Sequence, residues 1–257
     1  MKSKKVKYTE MTTILHQFYK SLSGGFDDFY EGELLESDFH LIYDNEKVVA
    51  FCAIKANSLT AIYVLPNVTV NFHEVFKHII TKYQIAEITF TTNDLNMINE
   101  VIENEYHIEY FAVNFVFNGN NLSSLDMIKA EVNHISVIRD SFGDFLENYD
   151  TLINENALYL YFKNNELLAM VNANQHRIDL KTYSLGVIVS EKHRGKGIGT
   201  LAVSTIANLL IEEGKTVHAG CWYYNFSSKK MMEKAGFKKN NILCKTKIED
   251  KKNNIKE

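Results

Sequence analysis

The sequence predicts an α/β (α+β) fold: a central, mixed but largely antiparallel sheet flanked by helices, preceded by a smaller α/β domain. Three observations carry that expectation. The 257-residue chain alternates short β-rich runs with amphipathic helical stretches. A polar segment, Asn118-Gly119-Asn120-Asn121-Leu122-Ser123-Ser124, interrupts the alternation near its middle. Seven of the twelve glycines fall between Gly186 and Gly236. At ~100–200 residues per domain the length admits two modest domains. The polar segment places their boundary at 1–124 and 125–257.

The elements follow in order. Residues 40–43, 48–55 and 59–65 are β-rich runs separated by turn residues, a meander of strands. In 72–83 (FHEVFKHIITKY) apolar residues recur at 72, 75, 76, 79, 80 and 83, a helical period. A strand over 86–92, a helix over 95–106 and a strand over 108–117 complete the front half. The second half is expected to begin with a strand at 132–138 and a helical stretch through 141–154. Runs 157–162 and 167–174 read as a hairpin across the turn Lys163-Asn164-Asn165-Glu166. A strand at 184–190 leads to a long amphipathic helix at 197–213, stopped by Gly214. Then come a strand at 216–222, a helix at 227–235 closed by Gly236, a strand at 242–248 and a polar tail.

Composition narrows the function. The net charge of -4 and the scatter of lysines give no basic stripe for nucleic acid. The basic start MKSKKVKYTE is followed by no apolar run, so it is not read as a signal peptide, and no apolar stretch is long enough for a membrane span. Cys52, Cys221 and Cys244 lack CxxC spacing, and a cytoplasmic location is expected. The nine histidines form neither HExxH nor HxH, and no metal is expected.

The chemistry is concentrated in LGVIVSEKHRGKGIGTLAVSTIANLLIEEG. An apolar strand enters Arg194-Gly195-Lys196-Gly197-Ile198-Gly199-Thr200, which opens directly into a helix. Alternate glycines remove the Cβ atoms that block close backbone approach. A helix N-terminus adds unpaired N–H groups and the positive dipole end, so the segment suits a pyrophosphate. A Walker A loop, GxxxxGK followed by Ser or Thr, fails at Gly197. A dinucleotide fingerprint, GxGxxG, fails at Thr200. Arg194 to Gly199 fits a third pattern: Arg or Gln, any two residues, Gly, any residue, then Gly or Ala.

That pattern is the coenzyme A loop of the GNAT (GCN5-related) N-acetyltransferase superfamily, which residues 132–248 resemble. Asn225, eleven residues before Gly236-Phe237, matches the family's second signature, with Ser228 at its small-residue position. The two-domain layout is similar to the zwittermicin-resistance-type acetyltransferases. The resemblance implies acetyl-CoA as acyl donor and direct transfer to an amine of a small molecule or peptide, in a ternary complex. It implies that Gly195, Lys196, Gly197, Ile198, Gly199 and Thr200 offer backbone N–H groups to the pyrophosphate, while Arg194 holds the loop or meets a phosphate. Val187 and Val189 would pair with the pantetheine arm. An N–H of Val187 or Ile188 would polarise the thioester carbonyl. Asn225, with Ser228 nearby, would either contact pantetheine or cap the following helix. The chain departs from the family at two places: Met232 stands where a general-acid Tyr is common, and Thr182-Tyr183-Ser184 where a carboxylate is common. Tyr183 and Tyr224 are the replacement candidates, with Tyr223 and Asp179 behind them. A non-catalytic CoA-binding sensor is the alternative, and the chain is expected to be a monomer or homodimer. The front half repeats the strand–helix–strand–helix–strand order without the glycine loop. It is expected to be a degenerate GNAT-like copy that binds no CoA, or an unrelated α+β domain.

Overall fold

A computed structural model describes residues 1–146 and 148–248. The polar tail from residue 249 lies outside the described residues. Two compact units divide the chain: Met1–Ala112 with Asn241–Glu257, and Val113–Asn240. Among the described residues no helix is long and apolar enough to cross a membrane.

The front unit contains β1 (Lys2–Val6), α1 (Thr12–Ser21), α2 (Asp28–Leu35), β2 (Asp38–Asp44), β3 (Lys47–Lys55), β4 (Ser58–Val64), α3 (Phe72–Tyr83), β5 (Glu87–Thr91) and α4 (Leu95–Glu103), then enters β6 (Glu109–Phe117). The meander and both later helices match the sequence expectation. The elements before β2 extend it. Strands β1 to β4 pair antiparallel in chain order, and β5 runs parallel to β4. Apolar Val75, Phe76 and Ile79 of α3 and Met97 and Val101 of α4 bury against Ile62, Ile88 and Phe90.

The back unit continues through β7 (Met127–Lys129), α5 (Ile135–Phe142), α6 (Tyr149–Asn154), β8 (Leu158–Lys163), β9 (Glu166–Gln175), β10 (Thr182–Val189), α7 (Ile198–Glu212), β11 (Thr216–Trp222) and α8 (Phe226–Lys234), and into β12 (Phe237–Lys247). Asn164 and Asn165 both take positive φ, +51° and +63°, as a two-residue hairpin turn requires. The strand expected at 132–138 is helix instead. Glu131 and His134 form a reciprocal cap there. Ile135, Ile138 and Phe142, at helical spacing, pack into one cluster with Met170 and Leu160. The single helical stretch expected over 141–154 breaks at Gly143, whose φ is +62°. The last strand begins at Phe237, five residues before the expected 242.

The division between units also falls elsewhere than the polar segment. Strand β6 passes from the front unit to the back unit at Ala112, and β12 passes back at Asn240. Leu243–Lys247 of β12 pair antiparallel with β5 and extend the front unit's sheet. The far half of β6 lies beside β11 in the back unit. Residues 118–124 form no regular element, yet Asn120 is tied down: its Nδ2 donates to Ser204 Oγ at 2.8 Å and to the Ala235 carbonyl.

Candidate functional site

The site grows from an open strand edge. Strand β10 pairs with β9 along its length, from Tyr183 opposite Gln175 to Val189 opposite Ala169. It pairs with β11, in parallel, only at Thr182, Tyr183 and Ser184. Both strands continue past that point, to Val189 and Trp222, so they diverge. The N–H of His176 donates to Thr182 O and that of Ser190 to Leu168 O, both at 2.9 Å. Antiparallel pairs alternate between bonded and non-bonded, so these two fix the phase. Ser184, Gly186 and Ile188 therefore spend their N–H and C=O groups on β9. Leu185, Val187 and Val189 turn theirs to the open edge. Of the sequence candidates Val187 and Ile188, Val187 has the N–H that faces the opening. The side chains of Leu185, Val187 and Val189 pack with Ile198, Val203 and Ile206 of α7, while Ile188 packs with Met170 on the opposite face.

The open edge runs into the glycine loop. Arg194 Nε donates to the Val189 carbonyl at 3.2 Å, tying the loop to the end of β10. Lys196 Nζ donates to the Lys192 carbonyl at 3.0 Å. Gly195 and Gly197 have φ of +75° and +80°, the region that favours glycine, and nothing lies within 4 Å of where their Cβ atoms would stand. Gly197 is the N-cap of α7 and no side chain caps that end. The first helical bond is Leu201 N–H to Gly197 O at 3.1 Å. The N–H groups of Ile198, Gly199 and Thr200 therefore precede the ladder and stand at the positive end of a 15-residue helix. At Gly199 a Cβ would stand 3.2 Å from Val189 Cγ2, a tight contact. Such an end is suited to an anion.

Asn225 caps α8, accepting the Ser228 N–H at Oδ1 over 3.0 Å. Tyr224 is exposed in the turn after β11, its ring edge-on to Tyr223, over which Lys229 Nζ sits at 3.9 Å. Tyr183 is half-buried among the residues facing α7, in the paired end of β10, with Lys215 Nζ 5.7 Å from its ring. Tyr183 thus lies at the paired end of β10 and β11. Met232 is buried in the same core.

One cluster escaped the sequence reading. On the sheet face opposite α7, at the last paired residues before the strands diverge, Ser184 Oγ lies 2.8 Å from His176 Nε2. His218, fully buried, places Nδ1 3.1 Å from the Asn114 amide nitrogen. Burial, with His176 beside it, holds the His218 imidazole down to about 3, against a weaker opposing pull from Asp179. Strand alternation puts residues 184 and 218 on one face, but their partners come from just past the end of β9 and from β6, a pairing no local pattern reveals.

The front unit has the same plan with its openings filled. Strand β4 pairs with β5 only at Ser58 and Leu59 before the two diverge. Tyr30 Oη donates to the Thr60 carbonyl on that strand. At the N-terminus of α3, Asn71 Oδ1 accepts the Glu74 N–H at 2.8 Å, and Glu74 returns its carboxylate to the Asn71 N–H. A capping box thus occupies the end that α7 leaves open.

Comparison with known proteins decides what this plan is. An acetyltransferase (GNAT) domain model matches residues 7–120, and an acetyltransferase (GNAT) family model matches residues 126–237. The chain belongs to the GNAT acetyltransferase family. It is a two-domain GNAT protein, and its front half is a GNAT domain rather than an unrelated α+β fold. Among solved structures, this GNAT protein resembles an acetyltransferase of the GNAT family from Colwellia psychrerythraea, with a TM-score of 0.84 at 19% identity over 97% of this chain and 100% of that one. It resembles a tandem GNAT protein from the clavulanic acid biosynthesis pathway, with a TM-score of 0.62 at 9% identity over 98% and 99% of the two chains. A GCN5-related N-acetyltransferase from Sphaerobacter thermophilus gives 0.60 at 9% identity over 97% and 96%. No curated protein matches the sequence. At these identities the structures share the fold, and the family makes the chain an acyltransferase.

Proposed function

We propose that the back domain is an acetyl-CoA-dependent N-acetyltransferase acting on a primary amine of a small molecule or peptide. The observation that carries this reading is the continuity of the open β10 edge with the uncapped, glycine-rich start of α7. The edge takes the amide-bearing pantetheine arm, through the backbone groups of Val187 and Val189. The loop, from Gly195 to Thr200, takes the diphosphate. Arg194 acts by holding the loop to Val189. Asn225 spends Oδ1 on its cap and turns its amide nitrogen to the arm, with Ser228 as the capped partner.

In the reaction the neutral amine attacks the thioester carbonyl. The Val187 N–H stabilises the oxyanion of the tetrahedral intermediate. The C–S bond then breaks, the amine nitrogen gives up a proton to solvent, and the CoA thiolate takes one from a donor that solvent then reprotonates. Tyr224, exposed after β11, is the candidate proton donor to the thiolate. Positioning of the two substrates supplies the rest. We place the domain boundary in sequence at 124/125, between the two family matches at 7–120 and 126–237, although the compact units exchange strands across it, and we infer that the front domain binds no CoA. We place the protein in the cytoplasm, a reading supported by three cysteines without CxxC spacing.

Thiol release from acetyl-CoA across a panel of amines, beside calorimetry of CoA binding, tests the reading. Binding with amine-dependent release supports it. The absence of a carboxylate from Thr182-Tyr183-Ser184, and Met232 in place of a Tyr, favour one alternative. Tight CoA binding with no release for any amine would make the protein a CoA-binding sensor.

A further inference from the structure

The front domain holds a side-chain group that the acyl-transfer reading leaves unused. His73 is the second residue of α3, and Glu100 and Glu103 lie one turn apart on α4. His73 Nδ1 stands 3.0 and 2.9 Å from the two carboxylate oxygens of Glu100. One ligand atom from each of His73, Glu100 and Glu103 lies within 4.8 Å of the others. His73 and Glu103 are exposed, whereas Glu100 is only 5% exposed.

We propose that His73, Glu100 and Glu103 form a binding site for a divalent transition-metal cation that clasps α3 to α4. The burial of Glu100 separates this group from ordinary surface carboxylates. A carboxylate withdrawn from water needs hydrogen bonds or a cation close by, and the His73 imidazole is the group that faces it. A dication held by one imidazole nitrogen and two carboxylates would neutralise Glu100 directly. Imidazole with carboxylate oxygens is a donor set that Zn²⁺ accepts, at metal–ligand distances of about 2.0–2.2 Å. His73 Nδ1 and the Glu100 oxygens, about 3 Å apart, are spaced for a shared ion at that range, and the exposed Glu103 side chain, within 4.8 Å, would close on it. The exposed sides of His73 and Glu103 give the ion an entry path and leave coordination positions for water. The 27-residue gap between His73 and Glu100 explains why no motif announces the site. The clasp is independent of acyl transfer and would act on the stability of the front domain.

The test uses the full chain, stripped with a chelator and titrated with Zn²⁺ by calorimetry, with the melting temperature followed in parallel. One equivalent should bind and raise the melting temperature by mass action. His73→Gln and Glu103→Gln, both at exposed positions, should each weaken Zn²⁺ binding by at least about tenfold. Co²⁺ should give a visible absorption band in the wild type that both variants lose. Failure of the wild type to bind one equivalent would overturn the proposal. So would Zn²⁺ affinity that both variants leave unchanged, because binding would then lie at other histidines.

Discussion

Replacing Gly197 with leucine separates the anion-binding role of the loop from its role as a turn. Gly197 has a φ of +80° and open space where a side chain would begin. An L-residue held in that region costs roughly 1–2 kcal/mol, so the chain folds and melts a few degrees lower. Gly214, just past the other end of α7, has a φ of +73° and equally open space. Gly214→Leu is therefore matched in strain but remote from the loop. At Gly197 the leucine stands where the diphosphate would approach the N–H groups of Ile198, Gly199 and Thr200. Each hydrogen bond to a charged group contributes about 1.5–3 kcal/mol. Losing two weakens CoA by roughly 10²–10⁴-fold. Calorimetry of CoA with both variants gives the comparison. Equal melting losses with CoA binding lost only in Gly197→Leu are expected. Wild-type CoA affinity in Gly197→Leu would refute the loop assignment.

Asn225→Ala should cost the α8 cap about 1 kcal/mol and raise the KM for acetyl-CoA. Asn225→Asp keeps the cap acceptor, so a raised KM there isolates the amide's contact with the arm, and an unchanged KM would leave Asn225 as a cap alone. Tyr30→Phe leaves the buried Thr60 carbonyl without its partner and should destabilise the front unit by about 1–3 kcal/mol. CoA should still bind once per chain, and a second equivalent in the wild type would contradict the filled front cleft. His218 makes the back unit acid-sensitive. Its folded value of about 3 lies below the ordinary 6.5, so the folded state binds fewer protons and the stabilisation present above 6.5 is lost as pH falls. Between pH 7 and 5 that loss is about 2 kcal/mol. Fluorescence of Trp222, the single tryptophan and a back-unit residue, follows it, and His218→Gln should flatten the slope. Burial raises Asp27 and Asp94 of the front unit to about 6, which gives the opposite sign there, with stability gained as pH falls from 6 towards 4.

Legibility followed the range of the interactions. Helix α3 and strand β11 stand as read because period and caps are local properties of the chain. The turn of the glycine loop was legible too, because the positive φ of Gly195 and Gly197 is a local backbone demand. The run at 132–138 misled because Val132, Ile135, Val137 and Ile138 suit a strand and a helix alike. Only the Glu131–His134 cap and the pocket of Met170 and Leu160 choose between them. The faces of Tyr183 and Val187 needed the register with β9. The His176–Ser184 and His218–Asn114 contacts needed three strands from distant parts of the chain, and none of that is written within a window of residues.

The exchange of β6 and β12 has a consequence for the order in which the protein is made. The front unit holds the first 112 residues, yet its sheet gains the strand beside β5 only from residues 243–247. The back unit, 113–240, has all its residues before then. During synthesis the domain that begins first must wait, with the β5 edge uncovered, until the other has been produced in full. A chain cut short after residue 240 would be able to close its back unit while its front unit remained unfinished.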